Sequence, residues 1–332
     1  MDEHDLLATA RVYAIPTVTR FRGISIREGV LIQGPRGWGE FCPFPEYDDR
    51  EAERWLATAL EQAVAGWPEP VRDRVPVNVT VPALDPEHAH AMVTGSGCST
   101  AKVKVAEHAD SLAQDQARVE AVRAALGTGG RIRIDVNGRW DLDTAVQNIR
   151  ALDNAAGGLE YVEQPCGSLE ELAALRRRVD VRIAADESIR RADDPLAADL
   201  TEAADIAVIK CTPLGGVRQA LRVADRTGLP CVVSSALETS VGLAAQLALA
   251  GALPELDFAC GLGTLRLLGG DVVGPDQAFW PVDGWLPVPR TPPRPDPQAL
   301  DTFSMTDPDR TAWWRERLAR THARLGTSTQ PW

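Results

Sequence analysis

From about residue 75 the chain repeats one pattern, a short run of Val, Ile and Ala, a break, and then a stretch with helical spacing. The apolar runs fall near residues 76–81, 100–105, 131–136, 159–163, 181–186, 205–210, 230–234 and 256–260. Runs of this kind, β-branched and with little polar alternation, predict strands buried on both faces. Residues 112–126, 143–152, 169–179, 216–227 and 240–253 carry the helical pattern between them. Eight alternations predict an α/β fold, a closed parallel (β/α) barrel over residues 76–264. An open doubly wound sheet is the alternative, but no Gly-x-Gly-x-x-Gly follows the first strand.

The flanks differ. Segments 11–15 and 24–33 read as strands and 49–65 as a helix carrying Trp55, Leu56 and Leu60, so residues 1–75 predict a small α+β capping domain. Its turn, residues 19–23, is polar, basic and aromatic together. Arg22 there could meet an anionic ligand over a pocket or simply sit in solvent. After Gly263 the chain turns rich in Pro and Gly, then predicts a helix over 309–325. Residues 265–332 keep Trp280, Trp285, Trp313 and Trp314, which predicts a C-terminal segment docked on barrel and cap.

Five of the predicted strands end on residues suited to chemistry. Lys102 and Lys104 close one, Asp135 the next with Asn137 after it, then Glu163, Asp186 and Lys210. The three acids lie 28 and 23 residues apart and Lys210 follows 24 later, about one strand and one helix each time. Each acid alone could cap the helix that follows it. Together, with no histidine among them, they make a hard-oxygen set suited to Mg²⁺, with Mn²⁺ possible, and poorly suited to zinc.

Lysine usage points the same way. All 3 lysines of the chain stand on these strand ends, and the other 32 of its 35 basic residues are arginine. Lysine can give up its proton when desolvated, which arginine effectively cannot. Lys102 and Lys104, two apart on a strand, leave the same face, so each should depress the other's pKa toward neutrality and make a general base. Lys210 would approach from the other side. A metal, a base and an opposing cation describe a site that abstracts a proton α to a carboxylate.

Composition argues against two other classes of partner and leaves the small carboxylate that this chemistry calls for. A net charge of −12 opposes nucleic acid. The longest apolar run, residues 241–253, is too short to span a bilayer, and the acidic start lacks a secretory pattern, which predicts a cytoplasmic protein without membrane attachment. Six scattered cysteines without Cys-x-x-Cys predict reduced thiols, and His88 and His90 fall on different faces of a predicted helix.

The series Lys-x-Lys, Asp-x-Asn, Glu-Gln-Pro, Ala-Asp-Glu-Ser and Ile-Lys resembles the muconate-lactonising branch of the enolase superfamily. Phe21-Arg22-Gly23, Trp38-Gly39-Glu40-Phe41, Pro43-Phe44, Glu46-Tyr47-Asp48 and Asp135-Val-Asn137-Gly bring it closer to the o-succinylbenzoate synthases of the actinobacterial type. The resemblance implies a modified (β/α) barrel with an N-terminal cap. It implies Asp135, Glu163 and Asp186 as metal ligands, Lys104 as acid and base, Lys210 as the opposing cation, and a syn dehydration in menaquinone synthesis. Lys102 and Asn137 would support the site, and Ser234, Ser235 and Gly261 would hold a carboxylate tail. A racemase or dipeptide epimerase of the same superfamily, using both lysines as bases, and a non-catalytic ligand-binding homologue remain as alternatives.

Overall fold

The computed structural model describes residues 1–327, so residues 328–332 of the C-terminal segment lie outside the described residues. Strands β1 (Arg11–Phe21), β2 (Ile24–Gly34) and β3 (Gly37–Phe41) form an antiparallel sheet. β1 continues six residues beyond the expected 11–15. Its second half alternates between half-buried and exposed residues and projects beyond the core, so no apolar run marks it. The β1–β2 turn consists of Arg22 and Gly23, both at positive φ (52° and 81°), the conformation of a two-residue hairpin. That turn carries Arg22 to the tip of the cap.

The helix Asp49–Leu60, capped by Asp48 accepting from the Glu51 amide, lies directly on β3. A Cβ on Gly39 would come within 2.1 Å of the Ala59 carbonyl oxygen. Gly39→Ala is therefore expected to push helix and sheet apart and destabilise the protein by about 1–3 kcal/mol. Thermal denaturation reads this as a fall in Tm of several degrees, and an unchanged Tm would contradict so close an approach.

Eight parallel strands follow: β4 (Arg74–Val81), β5 (Thr100–Lys104), β6 (Arg131–Asp135), β7 (Tyr161–Glu163), β8 (Ile183–Ala185), β9 (Ile206–Ile209), β10 (Cys231–Val233) and β11 (Cys260–Gly263). Their order is β10-β9-β8-β7-β6-β5-β4-β11, and a parallel bridge from Ser234 to Gly261 joins the two ends into a barrel. β12 (Trp285–Pro287) runs antiparallel along the start of β4.

The eighth barrel strand corrects the expectation of 256–260. Phe258 lies at the bottom of the barrel, edge-on to Tyr161 at 5.9 Å, and Ala259 gives its carbonyl to Arg133 at 2.6 Å. Pairing begins only at Cys260, in a Cys-Gly-Leu-Gly segment of low strand propensity. Glycine is needed there because a Cβ at Gly263 would stand 2.7 Å from the Asn78 carbonyl oxygen.

The helix Pro308–Thr327 packs on the helix Asp49–Leu60. Trp314 is buried edge-on to Phe41 and donates to Glu28 Oε2 at 3.1 Å. Trp280 and Trp285 instead stay 42% and 37% exposed, so two of the four tail tryptophans are not docking anchors. All six cysteines are free thiols, with Cys231 alone partly exposed. No helix among the described residues is long and apolar enough to cross a membrane.

Candidate active site

The site is built by five neighbouring strands. Lys104 ends β5, Asp135 ends β6 and Glu163 ends β7, while Asp186 and Lys210 each follow directly on β8 and β9. Cross-strand register sets Lys104 beside Asp135 and Asp135 beside Glu163. β5 and β9 stand four places apart in a ring of eight, so Lys104 and Lys210 face each other across the barrel mouth with the acids on the arc between.

Each acid meets a cation. Lys104 Nζ lies 2.5 Å from Asp135 Oδ2 and 2.8 Å from Asn137 Oδ1. Lys102 Nζ is bonded to both oxygens of Glu163, at 3.1 and 3.0 Å, and stands 3.5 Å from Asp135 Oδ2. Lys210 Nζ is 2.6 Å from Asp186 Oδ2, and Arg190 Nε is 3.0 Å from Asp186 Oδ1.

These contacts divide the protonation states. Burial opposes charge on Asp135, but Lys104 and Lys102 hold it well below the usual carboxylate range. Asp186 is likewise buried and held low by Arg190 and Lys210. Glu163 goes the other way: burial and the adjacent Asp135 charge push it up to about 7 in spite of Lys102. Burial lowers Lys104, and the charge of Lys102 adds to this against the pull of Asp135. The expectation that both lysines move toward neutrality fails for Lys102. Burial disfavours its charge, but Glu163 and Asp135 outweigh that and hold it above the ordinary lysine range.

The remaining expected residues surround the same cavity, of about 50 Å³, at the barrel mouth beneath the cap hairpin. Ser234 Oγ is 3.4 Å from Lys102 Nζ, and Ser235 Oγ is 2.8 Å from Thr264 Oγ1. Gly261 leaves room for that arrangement, since a Cβ there would meet Ser234 Oγ at 2.5 Å. The Arg22 guanidinium lies over the Phe44 ring, 4.0 Å from its centroid, and donates to the Tyr47 hydroxyl at 2.7 Å. Glu163 and Asp186 do not line the cavity themselves and touch it through Lys102, Lys210 and Arg190.

The Enolase C-terminal domain-like family matches residues 85–292, and the Enolase N-terminal domain-like family matches residues 12–63. The o-succinylbenzoate synthase of Thermobifida fusca is 61% identical over 95% of this chain and 96% of its own length. That of Mycolicibacterium smegmatis is 51% identical over 96% and 97%. The chain belongs to the o-succinylbenzoate synthases of the enolase superfamily. In fold, the family member described here is similar to the muconate lactonizing enzyme of Pseudomonas putida, with TM-score 0.71 and 21% identity over 89% of this chain and 98% of that one. It is also similar to the L-Ala-D/L-Glu epimerase of Bacillus subtilis, with TM-score 0.70 and 24% identity over 86% and 96%.

Enolase-superfamily synthases of this kind depend on a divalent metal, which makes the donor set of this chain a direct question. Among the described residues no three Asp, Glu, His or Cys side chains converge closely enough to share an ion. Their chemistry nonetheless fits one. Asp135, Glu163 and Asp186 are three buried oxygen donors on adjacent strands, and a cation would favour the charged form of Glu163, which burial and the Asp135 charge oppose. Lys104 and Lys210 each bond one oxygen of this set, Asp135 Oδ2 and Asp186 Oδ2.

Arg190 is the synthase residue that the sequence pattern missed. It bonds Asp186, Glu187 Oε1 at 2.6 Å and the Tyr47 hydroxyl at 2.7 Å, joining barrel to cap. Its signal was present in the spacing, four residues after Asp186 on the short helix Glu187–Arg190. Gln164 also acts as a bracket. At φ 39°, its Oε1 accepts from the Asp186 and Ser188 amides, fixing the end of β8 to that of β7.

Proposed function

We propose that this chain converts 2-succinyl-6-hydroxy-2,4-cyclohexadiene-1-carboxylate to o-succinylbenzoate by syn dehydration in menaquinone biosynthesis, with Lys104 as acid and base and Mg²⁺ held by Asp135, Glu163 and Asp186. The observation that carries this assignment is the pair of lysines across the barrel mouth, of which Lys104 is biased toward its neutral form by burial and by Lys102. Neutral Lys104 takes the proton α to the ring carboxylate. The same Nζ, now an ammonium on the same face, delivers a proton to the departing hydroxyl. One C–H and one C–O bond break, one C=C bond forms, and water leaves.

Asn137 orients Lys104 through the 2.8 Å contact, and its φ of 54° places the amide back toward the strand end. Lys210, facing Lys104 across the mouth, acts as the opposing cation and offsets the negative charge that builds on the substrate carboxylate. A bound Mg²⁺ would supply further positive charge for that carboxylate. Free cysteines support a reducing, cytoplasmic setting. Residues 1–75 act with segment 265–332 as one cap over the barrel of 76–264, a reading supported by the packing of the helix Pro308–Thr327 on the helix Asp49–Leu60.

Formation of o-succinylbenzoate from the cyclohexadiene acid by the Mg²⁺-supplied protein tests the assignment, and absence of turnover refutes it. Lys210→Arg separates dehydration from racemisation. Arginine keeps the charge but cannot serve as a base, so dehydration should survive to within about 10²-fold while any racemisation of an N-succinylamino acid disappears. Solvent deuterium at the α-carbon of recovered cyclohexadiene acid, with inverted configuration as delivery from the Lys210 side would give, would reverse the roles.

A further inference from the structure

Arg27, on β2 of the cap, is fully buried. Arginine cannot shed its charge to suit such a place, and a buried cation is ordinarily paired with an anion. Among the described residues Arg27 makes no salt bridge. Its guanidinium is spent on carbonyl oxygens: Nε donates to Leu237 at 2.9 Å, and Nη2 donates to Ala236 at 3.2 Å and to Cys42 at 2.6 Å. The Phe44 ring covers its face, 4.5 Å from centroid to guanidinium carbon.

The two barrel carbonyls belong to the loop that follows β10, and that loop lines the reaction cavity from Ser234 to Leu237. Leu237 stands at φ 66°, a left-handed conformation that a branched side chain does not adopt unaided. Glu40, on the neighbouring cap strand β3, holds the other end of the same segment. Its carboxylate accepts from the Thr239 amide at 3.2 Å, the Thr239 hydroxyl at 2.6 Å and the Gly242 amide at 2.7 Å. A cation thus takes the loop's carbonyls and an anion takes the amides at the start of the helix Ser240–Ala252. Lys104, Asp135 and Glu163 make no contact with this clamp.

We propose that Arg27 is a positioning residue for substrate specificity: acting from the cap, it fixes the loop of Ser234, Ser235 and Leu237 in the shape that reads the succinyl arm of the substrate. This rests on the reaction assigned above. The loop follows β10, across the ring from β6 and well away from Lys104 on β5, and touches the lysine and acid cluster through the 3.4 Å contact of Ser234 Oγ with Lys102 Nζ. Loosening it should therefore weaken recognition of the arm more than it slows proton transfer at Lys104.

The test uses the full-length protein with Mg²⁺ and two probes. o-Succinylbenzoate carries the arm, and phthalate keeps two carboxylates without it. Arg27→Met should weaken o-succinylbenzoate binding about tenfold or more by calorimetry and raise KM for the cyclohexadiene acid to match. Phthalate binding should stay within about twofold, with kcat changed less than KM. Arg27→Lys, which can still reach one carbonyl, should recover part of the loss and serves as the readout if Arg27→Met does not fold. Equal weakening of both probes would make Arg27 a merely structural group and overturn the proposal, as would unchanged binding of the first. If the wild-type protein neither binds o-succinylbenzoate nor turns over the diene, the assigned reaction fails and this inference falls with it. If the wild type does both, a failure belongs to Arg27 alone.

Discussion

Lys104→Ala is expected to lower turnover of the cyclohexadiene acid by about 10⁴-fold, the upper range for loss of a positioned acid and base. No neighbour can replace it. Lys102 is the nearest amine, but it is bonded to both oxygens of Glu163 and held charged by Glu163 and Asp135. Lys210 stands half a barrel away. The fold should persist, because Asp135 keeps Lys102 at 3.5 Å and is not left without a cation. Circular dichroism and Tm establish that the variant is folded, and product formation by absorbance measures the loss. Activity within tenfold of wild type would remove Lys104 from its assigned role.

Glu163→Gln is expected to weaken divalent-metal binding by about 10²-fold or more, with turnover falling alongside, because the amide keeps the shape and removes the charge at the centre of the donor arc. Titration with Mn²⁺ followed by magnetic resonance reads the affinity independently of turnover. Excess chelator should silence the wild-type protein and Mg²⁺ restore it. Lys102 complicates this variant in a predictable way. It loses an anion to which it made two bonds but keeps Asp135, so a modest fall in Tm should accompany the larger loss of metal. Unaltered Mn²⁺ affinity would take Glu163 out of the ligand set.

The barrel was legible because its strands are buried on both faces and therefore written as unbroken apolar runs. Ile132, Ile134, Val162, Ile183, Val208 and Ile209 are all buried. The site was legible because parallel strands deliver their last residues to one end, which turned the intervals between Lys104, Asp135, Glu163, Asp186 and Lys210 into positions around a ring. The eighth strand was expected a few residues early because close approach to Asn78 and Ser234 demands glycine in β11, which erases the strand signal there. The outer half of β1 escaped because it has little core to face. Arg190 and Arg27 escaped for a different reason. Among 32 arginines nothing local marks Arg27 as buried at the junction of cap and barrel, and Arg190 carries only its four-residue offset from Asp186. Lys102 depresses Lys104 as their spacing predicts, but Lys102 itself stays charged because Glu163 pairs with it, a contact between strands that no sequence interval reveals.

The confinement of lysine to the site also changes how the protein meets electrophiles. Lys102, Lys104 and Lys210 all open on one cavity, and no other side-chain amine exists in the chain. Acyl donors and activated esters that decorate the surface of an ordinary protein would find no lysine there, so acylation of a lysine in the folded protein is at the same time a modification of the cavity. Of the three, Lys104 combines the lowered pKa with the greatest side-chain exposure, 18% against 6% and 10%. Covalent labelling of lysine, read by peptide mass so that the α-amine is counted apart and competed with o-succinylbenzoate, therefore amounts to a titration of open sites.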